Sequence, residues 1–91
     1  MVAQLLRDDK SGLIMDRRKN LRLFKQAFVA VEAINLIMRK LKIDDRSVAI
    51  SLLDVLRERG AIANALKDNN SEFEDGDALW QFKAGFFFHY L

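Results

Sequence analysis

"LRERGAIANALKDNNSEFEDGDALWQFK", running from Leu56 to Lys83, is the stretch whose reading decides the fold. Gly60 ends the helix to which Leu56 belongs, because glycine enters the left-handed conformation without a steric penalty. "AIANAL" then alternates as a strand, with Ile62 and Leu66 on differing faces and a loose register. "KDNNSEFEDGD" is a turn region, in which Asp75-Gly76 supplies a tight turn. Phe73, the apolar residue of that acidic loop, reads as a plug at the edge of the core. "ALWQF" is the returning strand, with Leu79 and Gln81 on one face and Trp80 and Phe82 on the other. Nothing in the stretch has the form of a catalytic motif.

Upstream, Asp44 or Asp45 is a good N-cap for a helix reaching about Arg59. Ala49, Leu52, Leu53 and Leu56 form its stripe, with Val48 and Val55 beside them and Arg46, Asp54, Arg57 and Glu58 on the wet side. From Phe28 to Leu41, apolar residues recur at threes and fours (Phe28, Val31, Ile34, Ile37, Met38, Leu41), which predicts a second amphipathic helix. Arg39, Lys40 and Lys42 gather at its end, where the helix dipole favours cations. Before it, the apolar runs Leu13–Met15 and Leu21–Phe24 flank a polar "DRRKN", which reads as a hairpin arm with a basic tip. A short first helix over Val2 to Lys10 ends at Ser11-Gly12. The order is helix, hairpin, helix, helix, hairpin: an α+β domain of winged-helix type, with an arm between the first two helices and a short C-terminal antiparallel hairpin.

The 91 residues, 51% apolar and 31% charged, make one folded domain rather than a disordered chain. Its core is expected over about residues 5–83, followed by an apolar tail, 84–91. The absence of cysteine excludes disulfides and thiolate metal sites, and a small domain without such staples suits the cytosol. No run approaches the roughly 20 apolar residues of a membrane-spanning helix, and Met1 is not followed by a basic-then-apolar signal peptide. The net charge is only +2, so a preference for anionic partners must come from a local cluster.

From Leu5 to Lys83 the chain resembles a DEP domain, the signalling module named partly for Dishevelled and Pleckstrin. The resemblance rests on four pieces in order: "GLIMDRR", a glycine, strand and basic arm; "FVAVEAINLIMRKL", a phenylalanine and second helix; "DDRSVAISLLDVLRERGAI", a third helix with its terminal glycine; and "FEDGDALWQF", a closing turn and aromatic strand. Two departures stand out. Ala30 and Val31 replace the family's glycine and capping serine, so the second helix is expected to start earlier, near Gln26. Ile37 stands where the family has a tryptophan. The resemblance implies a three-helix, winged-helix-like fold and a non-enzymatic, cytoplasmic module, peripheral at membranes. Its implied partners are anionic lipid, receptor tails or other signalling proteins.

The arm concentrates Arg17, Arg18, Lys19, Arg22 and Lys25, opposed nearby only by Asp16. Such groups can meet lipid phosphates or an acidic receptor segment without burying their charge. Near an anionic bilayer each is worth about 1 kcal/mol, so five less one acid give roughly 4 kcal/mol gross, a weak and reversible contact. The competing reading is a solvated hairpin whose charges discourage edge pairing. In both readings these side chains are expected to be solvated. Phe24 suits core burial first and insertion into a membrane interface or partner pocket second. The tail "GFFFHYL" is compatible with packing back on the domain, with contact to a second copy as a homodimer, or with the start of a further element; Phe86 and Phe87 are its candidate contact residues.

His89, the single histidine, has no acidic or hydroxyl partner at a catalytic spacing, and no nucleophile motif or phosphate-binding glycine loop occurs. Glu72, Glu74, Asp75 and Asp77 lack the spacing of a calcium loop. No catalytic residue, cofactor or metal is expected. The alternative function is a winged-helix nucleic-acid binder, since architecture does not fix function. Its third helix should offer Arg, Lys, Asn or Gln outward. Here Asp54 and Glu58, mixed with Arg46 and Arg57, would repel phosphate, so nucleic acid is not the expected partner.

Overall fold

In the computed structural model, which describes residues 2–67 and 71–83, three helices pack on one face of a four-stranded antiparallel sheet. The helices are α1 (Val2–Arg7), α2 (Ala30–Leu41) and α3 (Arg46–Glu58); the strands are β1 (Met15–Lys19), β2 (Arg22–Val29), β3 (Ile62–Asn64) and β4 (Leu79–Phe82). Helix α1 stops at Arg7, short of the expected Lys10, because Asp8 caps a separate 3-10 turn over Asp9–Ser11. Gly12 then turns left-handed at φ 67° and donates its N–H to the Asp9 carbonyl.

The arm is longer and its tip narrower than the sequence suggests. The basic run lies within β1 itself, and only Asn20 and Leu21 connect the paired residues Lys19 and Arg22. Phe28 and Val29 belong to β2, and α2 begins at Ala30, not near Gln26. The physical reason lies far along the chain. Val29 offers no side-chain cap, but the N–H groups of Ala30 and Val31 donate to the carbonyls of Ala78 and Gly76, at 2.9 and 2.8 Å. The loop before β4 thus caps the helix that follows β2.

The two hairpins are one sheet, in the order β1-β2-β4-β3. Ala27, Phe28 and Val29 stand opposite Gln81, Trp80 and Leu79, and β3 lies on the far side of β4. The helix-covered face carries Phe28, Ile62 and Trp80 into the main core, where they meet Leu6, Ile34, Ile37 and Leu53. Phe73 stacks on Trp80 with ring centroids 4.7 Å apart. Leu52 and Phe82 are half-buried and pack against this cluster rather than within it. Phe24, Ala27 and Leu79 form a second, smaller cluster, against which Val29 and Ala65 pack.

Two acid–arginine clamps fix the loop between β3 and β4. The Asp54 carboxylate accepts from Arg57 Nε at 2.6 Å and from the Phe73 N–H at 2.8 Å, which sets the Phe73 ring in the core. Arg46 grips Asp75 with two bonds, at 2.6 and 3.0 Å, and donates to Asn35 Oδ1 at 2.7 Å. At the start of α3, Asp45 caps the helix by accepting from the Ser47 N–H and hydroxyl. Arg57 holds the Asp54 carboxyl below the usual carboxylate range, Arg46 does the same to Asp75, and the Ser47 hydroxyl to Asp45.

Two outcomes are expected. Leu53 is fully buried, so Leu53→Ala should lower unfolding free energy by about 2–5 kcal/mol in denaturant titrations. The acid dependence follows from the lowered carboxyls. Their folded-state pKa values lie below the unfolded value of about 3.9, so their stabilisation is present above that pH and lost as pH falls through the folded values. Thermal melts should be nearly level from neutral pH to about 5 and fall steeply below about 4. Arg46→Met should reduce the acid-dependent part of that fall.

Candidate functional site on the hairpin arm

The arm's shape originates in a bulge. Between Met15 and Arg17 the register slips, so Lys25 and Gln26 together oppose Asp16. Gln26 adopts a left-handed φ of 49°. Its amide would be unpaired there, but it donates to Asp16 Oδ1 at 3.0 Å. The Lys25 carbonyl accepts from Gln81 Nε2 at 2.9 Å. Bulges bend a strand and sharpen its twist. Beyond this one the hairpin curls back over the domain, as the contacts of its inner side show.

Cross-strand pairing defines the two sides. Arg17 pairs with Phe24 and Lys19 with Arg22 on the inner side; Arg18 pairs with Leu23 on the outer side. Phe24 is 5% exposed and sits in the second core cluster, so it is unavailable for a surface contact. Arg22 is exposed and lies over the Phe24 ring, its guanidinium carbon 5.1 Å from the centroid.

Arg17 differs most from its expected solvated state, with its side chain only 16% exposed. Its Nε donates to the Ala27 carbonyl at 3.0 Å, and its Nη2 donates to the Leu13 carbonyl at 2.7 Å and to Glu32 Oε1 at 3.0 Å. It ties both arm strands to α2. Lys19 is also engaged, donating to the Asp77 carbonyl at 3.0 Å with the Asp77 carboxylate 3.7 Å away. Arg18, Arg22 and Lys25 remain as exposed cations with no ion-pair partner among the described residues. Phe86 and Phe87, with the rest of the tail and His89, lie outside the described residues.

Leu21, expected at the start of the returning strand, instead lies in the two-residue loop and is completely exposed. Asn20 before it was the available signal, since asparagine tolerates the left-handed conformation that two-residue hairpin loops require.

Two other surfaces have less to offer an anion. An open cleft of about 830 Å³ beside the bulge is lined by Arg7 and Lys25 but also by Asp9 and Asp16, so its charges cancel. Along α3, Val48, Ser51 and Val55 are exposed, whereas Arg46 and Arg57 are clamped to acids. That face lacks the outward donors of a base-reading helix. Among the described residues no helix is long and apolar enough to cross a membrane.

Comparison with known proteins places this geometry in a family. Residues 13–82 match the profile of the domain found in Dishevelled, Egl-10 and Pleckstrin, so the chain belongs to the DEP family, whose domains are signalling modules. The fold is similar to the solution structure of the DEP domain of mouse pleckstrin, with a TM-score of 0.75 at 14% identity, covering 91% of this chain and 85% of that one. The three-helix, winged-helix-like architecture is therefore that of a DEP domain.

The division of the arm's cations has a direct check. Arg17→Ala removes charged hydrogen bonds to two backbone carbonyls, and such bonds are worth about 1.5–3 kcal/mol each in favourable cases. It should lower stability by at least about 1 kcal/mol in chemical denaturation. Arg18→Ala, at a solvated position, should stay within about 0.5 kcal/mol of the parent.

Proposed function

We propose that this domain is a non-catalytic signalling module of the cytoplasm whose hairpin arm docks weakly and reversibly on an anionic membrane surface. The single observation that supports this reading most is the set of exposed cations on the arm. Arg18 and Lys25 on its outer side and Arg22 beside the tip are exposed without ion-pair partners among the described residues, while the nearby Asp16 is turned to the Gln26 amide. Arg17 and Lys19 serve this contact indirectly, by holding the arm in its curled position. At about 1 kcal/mol per basic residue, three cations supply roughly 3 kcal/mol gross, on the order of a hundredfold in partitioning. An affinity of that size needs a second interaction, which a receptor tail or another signalling protein would provide.

The test is sedimentation with vesicles of phosphatidylserine and phosphatidylcholine. Binding should weaken as salt approaches physiological strength, where charges are screened over about 8 Å. Arg18→Glu, Arg22→Glu and Lys25→Glu combined should abolish binding while the fold persists, as judged by circular dichroism. Arg46→Met should leave binding unchanged. Equal binding by the charge-reversed arm would exclude the arm's cations as the membrane contact.

A further inference from the structure

We infer that Leu21 is an apolar wedge that enters the hydrocarbon boundary of an anionic bilayer when the arm docks, which makes a lipid surface, rather than an acidic polypeptide, the arm's partner. The inference rests on the arm reading above and deepens it.

Three observations converge on this residue. Leu21 has a relative exposure of 101%, whereas among the described residues the next most exposed large apolar residue, Met15, reaches 48%. A lone exposed leucine is ordinary on a protein surface. The backbone makes this one different. Asn20 and Leu21 have φ of 54° and 64° in a loop of two residues between paired Lys19 and Arg22. Such loops favour asparagine followed by glycine, because both central residues are left-handed. Asparagine fits the first position, but leucine at the second is sterically opposed by its Cβ. In the free protein Leu21 is thus strained and solvated together. Local strain of this kind concentrates at functional positions.

The third observation is what surrounds it. Arg18 and Arg22 flank the tip, and Leu23, 44% exposed, stands opposite Arg18 on the outer side. Cations around an apolar point are the pattern of interfacial segments, which seat their apolar groups about 5–10 Å into the headgroup and acyl boundary while Lys and Arg meet the phosphates. An acidic peptide could satisfy the arginines, but it would leave Leu21 in water unless it also carried a shaped pocket. The bilayer supplies phosphate and hydrocarbon at the two depths the arm presents. The inner side is fixed by the Arg17–Glu32 and Lys19–Asp77 contacts, so the wedge is carried on a braced stem.

The chain has no cysteine, so Leu21→Cys gives a single labelling site in the full chain. A nitrobenzoxadiazole label there should shift to the blue on phosphatidylserine-containing vesicles and be quenched by spin labels on the acyl chains. The same label at Lys67→Cys, on an exposed position after β3, should stay in water. Leu21→Gly keeps every charge and suits the turn. Its unfolding midpoint should rise by a few degrees, while vesicle partitioning should fall about tenfold, from loss of part of a leucine's transfer free energy. Gain of stability with loss of binding is the signature of a wedge.

If Leu21→Gly binds as tightly as the parent and the label at position 21 stays unquenched, while the charge-reversed arm loses binding, the wedge is refuted and the electrostatic reading of the arm survives. If the parent ignores acidic vesicles but binds poly-glutamate, the lipid assignment and the wedge both fall.

Discussion

Phe28 lies opposite Trp80 across β2 and β4, and much of the molecule depends on that pairing. Both rings are almost fully buried. Phe73 lies against Trp80 at 4.7 Å, and Phe82 lies 5.9 Å from Phe28, so four aromatic side chains from two distant stretches of chain share one core region. An isolated two-stranded hairpin is marginal in water. Pairing through Ala27, Phe28 and Val29 makes the arm part of a four-stranded sheet instead. It also brings the loop before β4 to the start of α2, where the Ala78 and Gly76 carbonyls take the N–H groups that no side chain caps. Breaking the pair would therefore disturb the sheet, the core and a helix terminus together.

The same connection explains how a modest cluster of charge becomes directional. By sequence, Arg17 to Lys25 is one basic run. In the fold, the bulge at Gln26 and the curl of the hairpin divide it. Arg17 and Lys19 spend their hydrogen bonds on Leu13, Ala27, Glu32 and Asp77, whereas Arg18, Arg22 and Lys25 are left to solvent. The engaged cations brace the arm by charged hydrogen bonds, the strong kind. The exposed ones can act only on something that approaches from outside the domain.

Much of the fold was legible because its signals are local. The stripe of α3 and its Asp45 cap follow from helical period and from short-range hydrogen bonding, and Phe73 stood out as an apolar residue among acids. The arm and the start of α2 were less legible because their causes are not local. Phe28 and Val31 fit a helical period, yet Phe28 is held in β2 by Trp80, a partner 52 positions away. The bulge also breaks the phase of alternation. Phe24 and Ala27, three residues apart, share one cluster, which strict period-two reading forbids. The site was legible in its charge and not in its division, because a sequence does not show which arginine will find two carbonyls and a glutamate.

The acidic loop adds an orientation to this division. Asp77 lies beside Lys19 on the inner side, with its own side chain 95% exposed. An anionic surface approaching that side meets Asp77 with Lys19 and Arg17 already engaged and Arg22 exposed near the tip. Approaching from the outer side, it meets Arg18, Lys25 and the tip. At a screening length of about 8 Å, the two sides of one hairpin still present different potentials. An anionic partner would meet more unpaired positive charge and no exposed aspartate partner of Lys19 on the outer side, and that difference would favour one docking orientation over the other.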